Sequence, residues 1–167
     1  MERVFSPWRG EYIRRSSGGA EEKSGCVFCV DEGDMAVPDR LLLGIYPSTA
    51  ALLNRYPYNS GHLLIVPRRH VADLTDLSSE ELRELFSLVV LGTRALREIY
   101  GPAGLNVGMN LGKAAGAGIA GHLHVHLVPR WSGDTNFMTS VHDARVLPES
   151  LLETRERLLP AFADLKP

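Results

Sequence analysis

Three of the six histidines in this 167-residue chain lie two residues apart, within the segment from Gly121 to Arg130. His122, His124 and His126 alternate with apolar residues. In an extended strand, successive side chains point to opposite faces, so the spacing predicts three imidazoles on one face and an apolar row on the other. Imidazole titrates near neutral pH, acts as a nucleophile or an acid, and binds metals. The pattern therefore favours a reactive site over a half-buried strand whose polar residues face solvent.

Cys26 and Cys29 are the two cysteines of the chain and form a C-x-x-C pair. In a reducing compartment such a pair favours a metal half-site or a redox pair over a structural disulfide. A redox pair is expected to open a helix after a strand, whereas this pair lies between Gly-rich and Asp/Gly-rich stretches that predict a loop. Metal binding is therefore favoured. Two thiolates need two further ligands for a tetrahedral zinc site, and histidines are the plausible source.

A glycine-rich segment, residues 110–121, leads into the predicted histidine strand. Glycines allow backbone N–H groups to approach an anion closely. Such loops are common and most bind nothing, so the segment alone is weak evidence. Beside a row of imidazoles it predicts a position for a phosphate group.

Composition and charge indicate an ordinary globular protein. The net charge is about −2, with 44% hydrophobic and 23% charged residues. This balance gives no electrostatic reason to expect binding to nucleic acid or to a membrane. The longest apolar stretch, residues 85–96, is interrupted by polar residues, and the first nine residues lack the layout of a secretory signal. We therefore expect a cytoplasmic protein.

The remaining pattern predicts an antiparallel α+β fold of about five strands, with one long and one C-terminal helix. Apolar runs at 41–46, 50–54 and 61–67 predict a strand meander, and two more strands are predicted at 104–110 and 122–130. Ser78 and Glu81 form a capping box at the start of the long helix, which Gly101-Pro102 ends. Its predicted apolar face comprises Leu82, Leu85, Phe86, Val89, Leu96 and Ile99. The second helix is predicted over 148–162, residues 1–25 as an arm, and residues 26–167 as a single domain.

Residues 122–128 resemble the signature of the histidine triad (HIT) family, His-φ-His-φ-His-φ-φ, in which φ is an apolar residue. Further segments are similar to family motifs in the right order: Asn54 to Pro67, Asn110 to Gly112, and the Pro-Arg-x-x-Gly-Asp continuation from Pro129 with Phe137. The last segment is similar to the fragile-histidine-triad branch. Trp8-Arg9, the Tyr56–Asn59 turn and Trp131 are similar to bacterial diadenosine tetraphosphate phosphorylase-like members. The resemblance covers nearly the whole chain and implies the HIT-like fold.

The resemblance implies a nucleotidyl hydrolase or transferase that acts at the α-phosphate of dinucleoside polyphosphates such as diadenosine tetraphosphate. His124 would attack the phosphorus to give a nucleotidyl-histidine intermediate, with its other ring nitrogen held by a backbone carbonyl. His126 and N–H groups of the glycine-rich loop would stabilise phosphoryl charge, and His122 completes the triad. The implied substrate-binding residues are Asn54, His62, Leu64, Asn110, Gly112, Gly116, Gly118 and Trp131. His62 would contact ribose or orient the triad, and no organic cofactor is implied.

The resemblance also extends to the zinc-binding form of the family. In that form a histidine after a Pro-Lys/Arg step and the first triad histidine complete the site, and the segment from Pro67 to His70 fits this pattern. The implied ligands of one structural zinc are Cys26, Cys29, His70 and His122. A homodimer is a further implication of the resemblance alone.

The sequence leaves the acceptor and two other functions open. Gly118 and Ile119 lie where many hydrolases of the family carry Gln or Ser, and Ala117-Gly118 lies where phosphorylase-like members carry Gly-Ser. The match at Trp131 favours phosphate over water as the acceptor. A zinc-dependent metallohydrolase is one alternative, since His-x-His strands also hold catalytic metals, although no carboxylate base lies nearby in the sequence. A non-catalytic nucleotide sensor is the other, against which the complete triad argues. No role is assigned to His142.

Overall fold

The structure is a computed structural model that describes residues 25–134 and 147–163. The predicted N-terminal arm therefore lies outside the described residues except for Gly25, as do Trp8, Phe137 and His142. Within the two described ranges, no helix has the length and apolar character needed to cross a membrane.

Five antiparallel strands form one sheet. They are β1 (Leu42–Ile45), β2 (Thr49–Leu53), β3 (Leu63–Pro67), β4 (Gly104–Met109) and β5 (Val125–Arg130). Across the sheet the order is β1-β2-β3-β5-β4, so β5 lies between β3 and β4. The predicted meander is β1–β2–β3, and the predicted antiparallel α+β class is confirmed.

The predicted histidine strand begins later than the sequence indicates. It was predicted from His122, but β5 begins at Val125 and pairs with β3 from Ile65 onward. Pro67 would lie opposite the preceding residues, and proline has no N–H to extend the ladder. The Pro67 carbonyl instead lies 2.7 Å from Nε2 of His122. The predicted alternation still holds, because Leu123, Val125 and Leu127 belong to the apolar core on one face.

The long helix, α1 (Ser79–Tyr100), has the predicted capping box and ends at Gly101, whose φ is +53°. Its buried residues are Leu85, Leu88, Val89, Gly92, Ala95 and Leu96. The prediction that Phe86 belongs to this face is wrong: Phe86 is 47% exposed. A helix turns 100° per residue, which moves Phe86 away from Leu85 to the outer flank.

The C-terminal helix, α2 (Leu151–Ala163), begins three residues after its predicted start at Pro148. The reason is a second capping box. The Ser150 hydroxyl accepts from the N–H of Glu153 at 3.3 Å, and the Glu153 carboxylate accepts from the N–H of Ser150 at 2.7 Å. These bonds satisfy N–H groups of the first turn, so the helix begins immediately after Ser150.

Different segments of the chain pack against the two faces of the sheet. Helices α1 and α2 pack on one face over the larger apolar cluster, and Gly92 lets α1 approach β5 closely: a Cβ there would lie 3.0 Å from Leu127 Cδ2. On the other face, residues 26–30 and Ile119 cover a smaller cluster that includes Leu64 and Val66 of β3. His126 pairs with Leu64 across the ladder and so shares this second face. The site histidines therefore lie on the face opposite α1 and α2.

Candidate active site and metal cluster

A cleft on the second face of the sheet is lined by two of the three regularly spaced histidines. The lining residues are Phe28, Asn54, Tyr56, Tyr58, Leu64, Asn110, Gly116, Gly118, Ile119, His124 and His126. Asn54 comes from the end of β2, Leu64 from β3, and the glycines from the loop before β5. The structure thus brings together seven of the residues that the sequence predicts for the nucleotide site.

His124 is held in one protonation form. The residue is 6% exposed, and its Nδ1 lies 2.9 Å from the carbonyl oxygen of His122. A carbonyl only accepts, so Nδ1 carries the proton and Nε2 retains its lone pair. Burial lowers the pKa of His124 below its ordinary value, which keeps the imidazole neutral. A buried, neutral imidazole with a lone pair on Nε2 is suited to nucleophilic attack.

His126 contacts a fourth histidine, His62. Its Nδ1 lies 2.9 Å from Nε2 of His62, a residue that precedes β3 and is only 1% exposed. The ring of Tyr58 lies 4.6 Å from the ring of His62 and 5.9 Å from that of His126, measured between centroids. His62 therefore contacts the triad directly and does not line the main cleft.

The glycine-rich loop forms the end of the cleft nearest β4. A single turn of 3₁₀ helix, Lys113–Ala115, lies between Gly112 and Gly116, whose φ values are +80° and +91°. These positive values require residues without a side-chain clash, which explains the glycines. Asn110 Nδ2 lies 3.4 Å from the Gly116 carbonyl, so the amide ties the loop together. Gly112 shapes this turn but does not itself line the cleft.

Trp131 lies away from the cleft in which the sequence analysis placed it. It follows the end of β5 and lines a different pocket together with Tyr100, Asp134 and Arg157. Strand residues rise about 3.3 Å each, so the five residues from His126 to Trp131 span about 16 Å. Within one chain, the strand direction therefore separates Trp131 from the histidines.

The four predicted metal ligands converge on one point. Sγ of Cys26 lies 3.3 Å from Nδ1 of His122, and Sγ of Cys29 lies 3.4 Å and 3.7 Å from Nδ1 of His70 and His122. In a tetrahedral zinc site with Zn–S of about 2.3 Å and Zn–N of about 2.1 Å, sulfur and nitrogen lie about 3.6 Å apart. The observed spacing fits that geometry. Neither cysteine forms a disulfide.

His122 is oriented as a metal ligand. Its Nε2 donates to the Pro67 carbonyl, which leaves Nδ1 to face the cysteines. Burial lowers the pKa of His122 to about 4, so the ring is neutral, as metal binding requires. Cys26, Cys29, His70 and His122 form a possible metal site with four donor atoms, all within 4.8 Å of one another. Four protein ligands fill a tetrahedral shell and leave no position for substrate.

Three aromatic residues of the cleft, Phe28, Tyr56 and Tyr58, were not among the predicted site residues. Phe28 lies inside the C-x-x-C pair, and its ring centroid is 5.1 Å from that of His124. Tyr58 lies against both His62 and His126. The sequence offered one indication that Phe28 belongs to the site: it lies between Cys26 and Cys29, which were predicted to bind a metal together with histidines. Tyr58 lies in the turn already noted for its similarity to the family, but nothing there indicated contact with a ring.

Comparison with known proteins identifies the family. The model of the HIT domain matches residues 38–133. The chain belongs to the HIT family. This HIT protein is 36% identical over 166 residues, 98% of its length and 85% of the relative's, to a protein of Mycobacterium tuberculosis named AP-4-A phosphorylase. It is also 35% identical over 86 residues to the asymmetrical bis(5'-nucleosyl)-tetraphosphatase of Schizosaccharomyces pombe, covering 52% of this chain and 47% of that protein.

A solved structure supports the fold. The Zn-bound histidine triad family protein from Mycobacterium smegmatis superposes with a TM-score of 0.64 and 29% identity, over 85% of this chain and 96% of that one. The predicted HIT-like fold is therefore confirmed. The named relatives support the prediction of a HIT-family enzyme.

Proposed function

We propose that this HIT protein is an enzyme that transfers the nucleotidyl group of dinucleoside polyphosphates such as diadenosine tetraphosphate through His124. The observation that carries the proposal is the buried His124 in the cleft, whose Nδ1 is bound to the His122 carbonyl while Nε2 keeps its lone pair. Identity to the M. tuberculosis AP-4-A phosphorylase along nearly the whole chain supports the substrate class.

The reaction would take two displacement steps at the α-phosphorus. In the first, Nε2 of His124 forms a P–N bond, and the bond from phosphorus to the bridging oxygen breaks, so the remaining nucleoside polyphosphate leaves with the electron pair. In the second, an oxygen of inorganic phosphate or water attacks, and His124 is released. Dividing one difficult displacement into two is the advantage of a covalent intermediate.

Neighbouring residues would bind the substrate on both sides of the phosphorus. Loop N–H groups near Gly116 and Gly118, together with Asn110, are suited to the phosphate oxygens. Asn54, Leu64 and Phe28 also border an adjoining, largely apolar pocket, which is suited to a nucleoside. The pocket that Trp131 lines is separate from the cleft. Trp131 would therefore contact the acceptor or the second nucleoside only if it came from a second copy of the chain or if its segment moved toward the cleft.

We further propose that the four-residue cluster holds one structural zinc. Thiolate and imidazole donors favour zinc among abundant divalent ions, and the spacing of the donor atoms suits a closed tetrahedron. The M. smegmatis relative, described as Zn-bound, supports the same ion. The metal would fix the Cys26–Cys29 loop, and with it Phe28, against His124. We also propose a cytoplasmic location, because a reducing compartment keeps free thiolates available for the metal.

Two alternative functions receive less support. A metallohydrolase would need the metal in the cleft with an open coordination position, whereas the cluster uses a single residue of the histidine row and contains four ligands. A sensor without turnover would not need the neutral, carbonyl-bound His124. We therefore favour catalysis through a nucleotidyl-histidine.

The decisive experiment is incubation with diadenosine tetraphosphate, with and without inorganic phosphate, followed by chromatography of the products. ADP with ATP indicates phosphorolysis, which we expect, and AMP with ATP indicates hydrolysis. The variant His124→Ala should lose turnover while nucleotide affinity stays within about tenfold, since the imidazole acts mainly in the transition state. His142→Ala is the matched control. Retention of more than a few per cent of activity by His124→Ala contradicts the nucleophile assignment, and full activity after complete zinc removal excludes the metallohydrolase.

We also propose that the protein forms a homodimer through β4. This strand pairs with β5, and no other described strand covers its second edge. Most of its residues are exposed, including Val107 at 49%. An uncovered strand edge with exposed apolar residues readily accepts a strand from another chain. Analytical ultracentrifugation should show a dimer for the wild type and a shift to monomer for Val107→Arg, with Val90→Arg on α1 as a control.

A further inference from the structure

The cleft that contains His124 has little positive charge for a substrate with a chain of phosphates. None of the described residues that line it is Lys or Arg. Burial lowers the pKa of His124 and so keeps its imidazole neutral. Each phosphate of the chain carries a negative charge at neutral pH. A cation close to the cleft is therefore expected for the phosphates that lie beyond the reacting phosphorus.

The order of the strands indicates where those phosphates lie. The apolar pocket that suits the nucleoside extends from the cleft to Leu52 and Leu53 of β2 and to Leu41, just before β1. His124 directly precedes β5, which lies between β3 and β4. The glycine-rich loop joins β4 to β5 and forms the opposite end of the cleft. A substrate with its nucleoside on the β2 side and its α-phosphorus at His124 therefore extends its remaining phosphates toward this loop.

Lys113 is the only residue with a polar side chain among residues 111–121 of that loop. It begins the 3₁₀ turn, and its carbonyl accepts at 3.0 Å from the N–H of Gly116, which lines the cleft. Lys113 is exposed, and in the described part of the chain its side chain forms no hydrogen bond or ion pair. Its ammonium group is carried on a long, flexible stem. The ammonium can therefore reach phosphate oxygens at this end of the cleft.

We propose that Lys113 binds the β- and γ-phosphates of the substrate and stabilises the charge that the leaving group gains. The inference rests on the proposed function, from which it takes the substrate. When the bond from the α-phosphorus to the bridging oxygen breaks, that oxygen keeps the electron pair, and the leaving nucleoside polyphosphate gains a further negative charge. The ammonium keeps its protons in this step. It interacts more strongly with the departing phosphates than with the intact substrate, which accelerates the reaction.

The number of phosphates distinguishes this role from that of an ordinary surface lysine. An exposed ammonium gains little from a single carboxylate, because water and salt screen the pair. A polyphosphate instead presents several charges to the same ammonium, while the nucleoside pocket and the loop N–H groups hold the chain in place. The contribution of Lys113 should therefore depend on the phosphates beyond the α-phosphorus. A residue that only keeps the loop folded would show no such dependence.

The first test measures binding and needs no turnover. In the full-length His124→Ala chain, calorimetric titration with diadenosine tetraphosphate and with AMP compares Lys113 with Lys113→Gln and Lys113→Arg. We expect Lys113→Gln to weaken binding of diadenosine tetraphosphate about tenfold and that of AMP less than about twofold, since a hydrogen bond to a charged group is lost only with the longer ligand. Lys113→Arg keeps the charge and should stay within about threefold for both ligands. Arg94→Gln, which removes a charge from an exposed position on α1, is the matched control.

The second test measures turnover of diadenosine tetraphosphate and of the p-nitrophenyl ester of AMP, whose leaving group contains no phosphate. In the chain with His124 intact, Lys113→Gln should lower kcat/KM about 30-fold for the dinucleotide and less than about twofold for the ester. Equal losses with both substrates, or unchanged affinity for diadenosine tetraphosphate, would overturn the role of Lys113. Failure of the wild type to cleave any dinucleoside polyphosphate would instead overturn the proposed function, and the titrations would still decide whether Lys113 recognises the phosphates.

Discussion

Replacing both Cys26 and Cys29 with serine removes the two thiolates of the cluster. The change is small, because it exchanges only sulfur for oxygen in each side chain. The two cysteines contact His70 and His122, which belong to the segments after β3 and before β5, so a bound metal links the loop to the sheet. A metal present at a hundredfold its dissociation constant stabilises the folded state by about 2.7 kcal/mol. For a chain of this length, each kcal/mol corresponds to about 2–4 °C in melting temperature, so the expected loss is about 5–10 °C.

The measurement is thermal unfolding of the untagged protein as purified, after chelation, and after zinc is added back, with zinc content determined by elemental analysis. The wild type should contain about one zinc per chain, and chelation should lower its melting temperature by about 5–10 °C. The double variant should melt at the lower temperature under all three conditions. Val27→Ser is the matched control, since Val27 lies between the cysteines and is 54% exposed. Zinc near zero in the wild type, or a double variant that still binds and responds to zinc, would refute the assignment of this site.

Two further predictions concern the start of α1. Ser78→Ala removes the hydroxyl that accepts from the Glu81 N–H at 3.2 Å and should lower the free energy of unfolding by about 1 kcal/mol in urea, with Ser79→Ala as control. Hydrogen bonds from Arg69 and the Ser78 N–H hold the pKa of Glu81 at about 2, below its ordinary 4.5. Because the folded-state pKa is lowered, this stabilisation is present above about pH 4.5 and is lost as the pH falls toward 2. Glu81→Gln should therefore be less stable than the wild type at pH 7 and converge with it near pH 2; a gap that persists at pH 2 would contradict the carboxylate argument.

The parts of the fold that sequence predicted correctly are those fixed by local chemistry. The capping box at Ser78 depends on residues three apart, and the alternation of His122 to Leu127 depends only on strand geometry. Phe86 was assigned wrongly because the apolar spacing of the helix is compatible with burial of either side of the apolar stripe. Only the packing of α1 on the sheet determines which side is buried. The late start of β5 depends on Pro67, which is distant in sequence and whose missing N–H matters only once the two strands are neighbours.

In the candidate site, too, residue types could be predicted from the sequence, whereas positions that depend on long-range packing could not. The metal cluster could be proposed because Cys26, Cys29, His70 and His122 have residue types with few other uses, and the structure brings them together. The position of Trp131 could not be predicted, because a family match does not state the direction in which β5 carries it. The resemblance implied that His62 would contact ribose or orient the triad, but it did not identify His126 as the partner, because that contact depends on the register of β3 with β5.

The linkage between Cys26 and His122 also bears on how the protein is made. These two ligands are 96 residues apart, and His70 lies 41 residues after Cys29. During synthesis at about 5–20 residues per second, both thiols leave the ribosome several seconds before their last partner. Closing a loop of that length is entropically costly, so we predict that metal uptake follows formation of the sheet and completes folding. Pulsed thiol labelling of nascent chains would show both cysteines reactive until the segment beyond His122 has emerged; early protection would contradict this order.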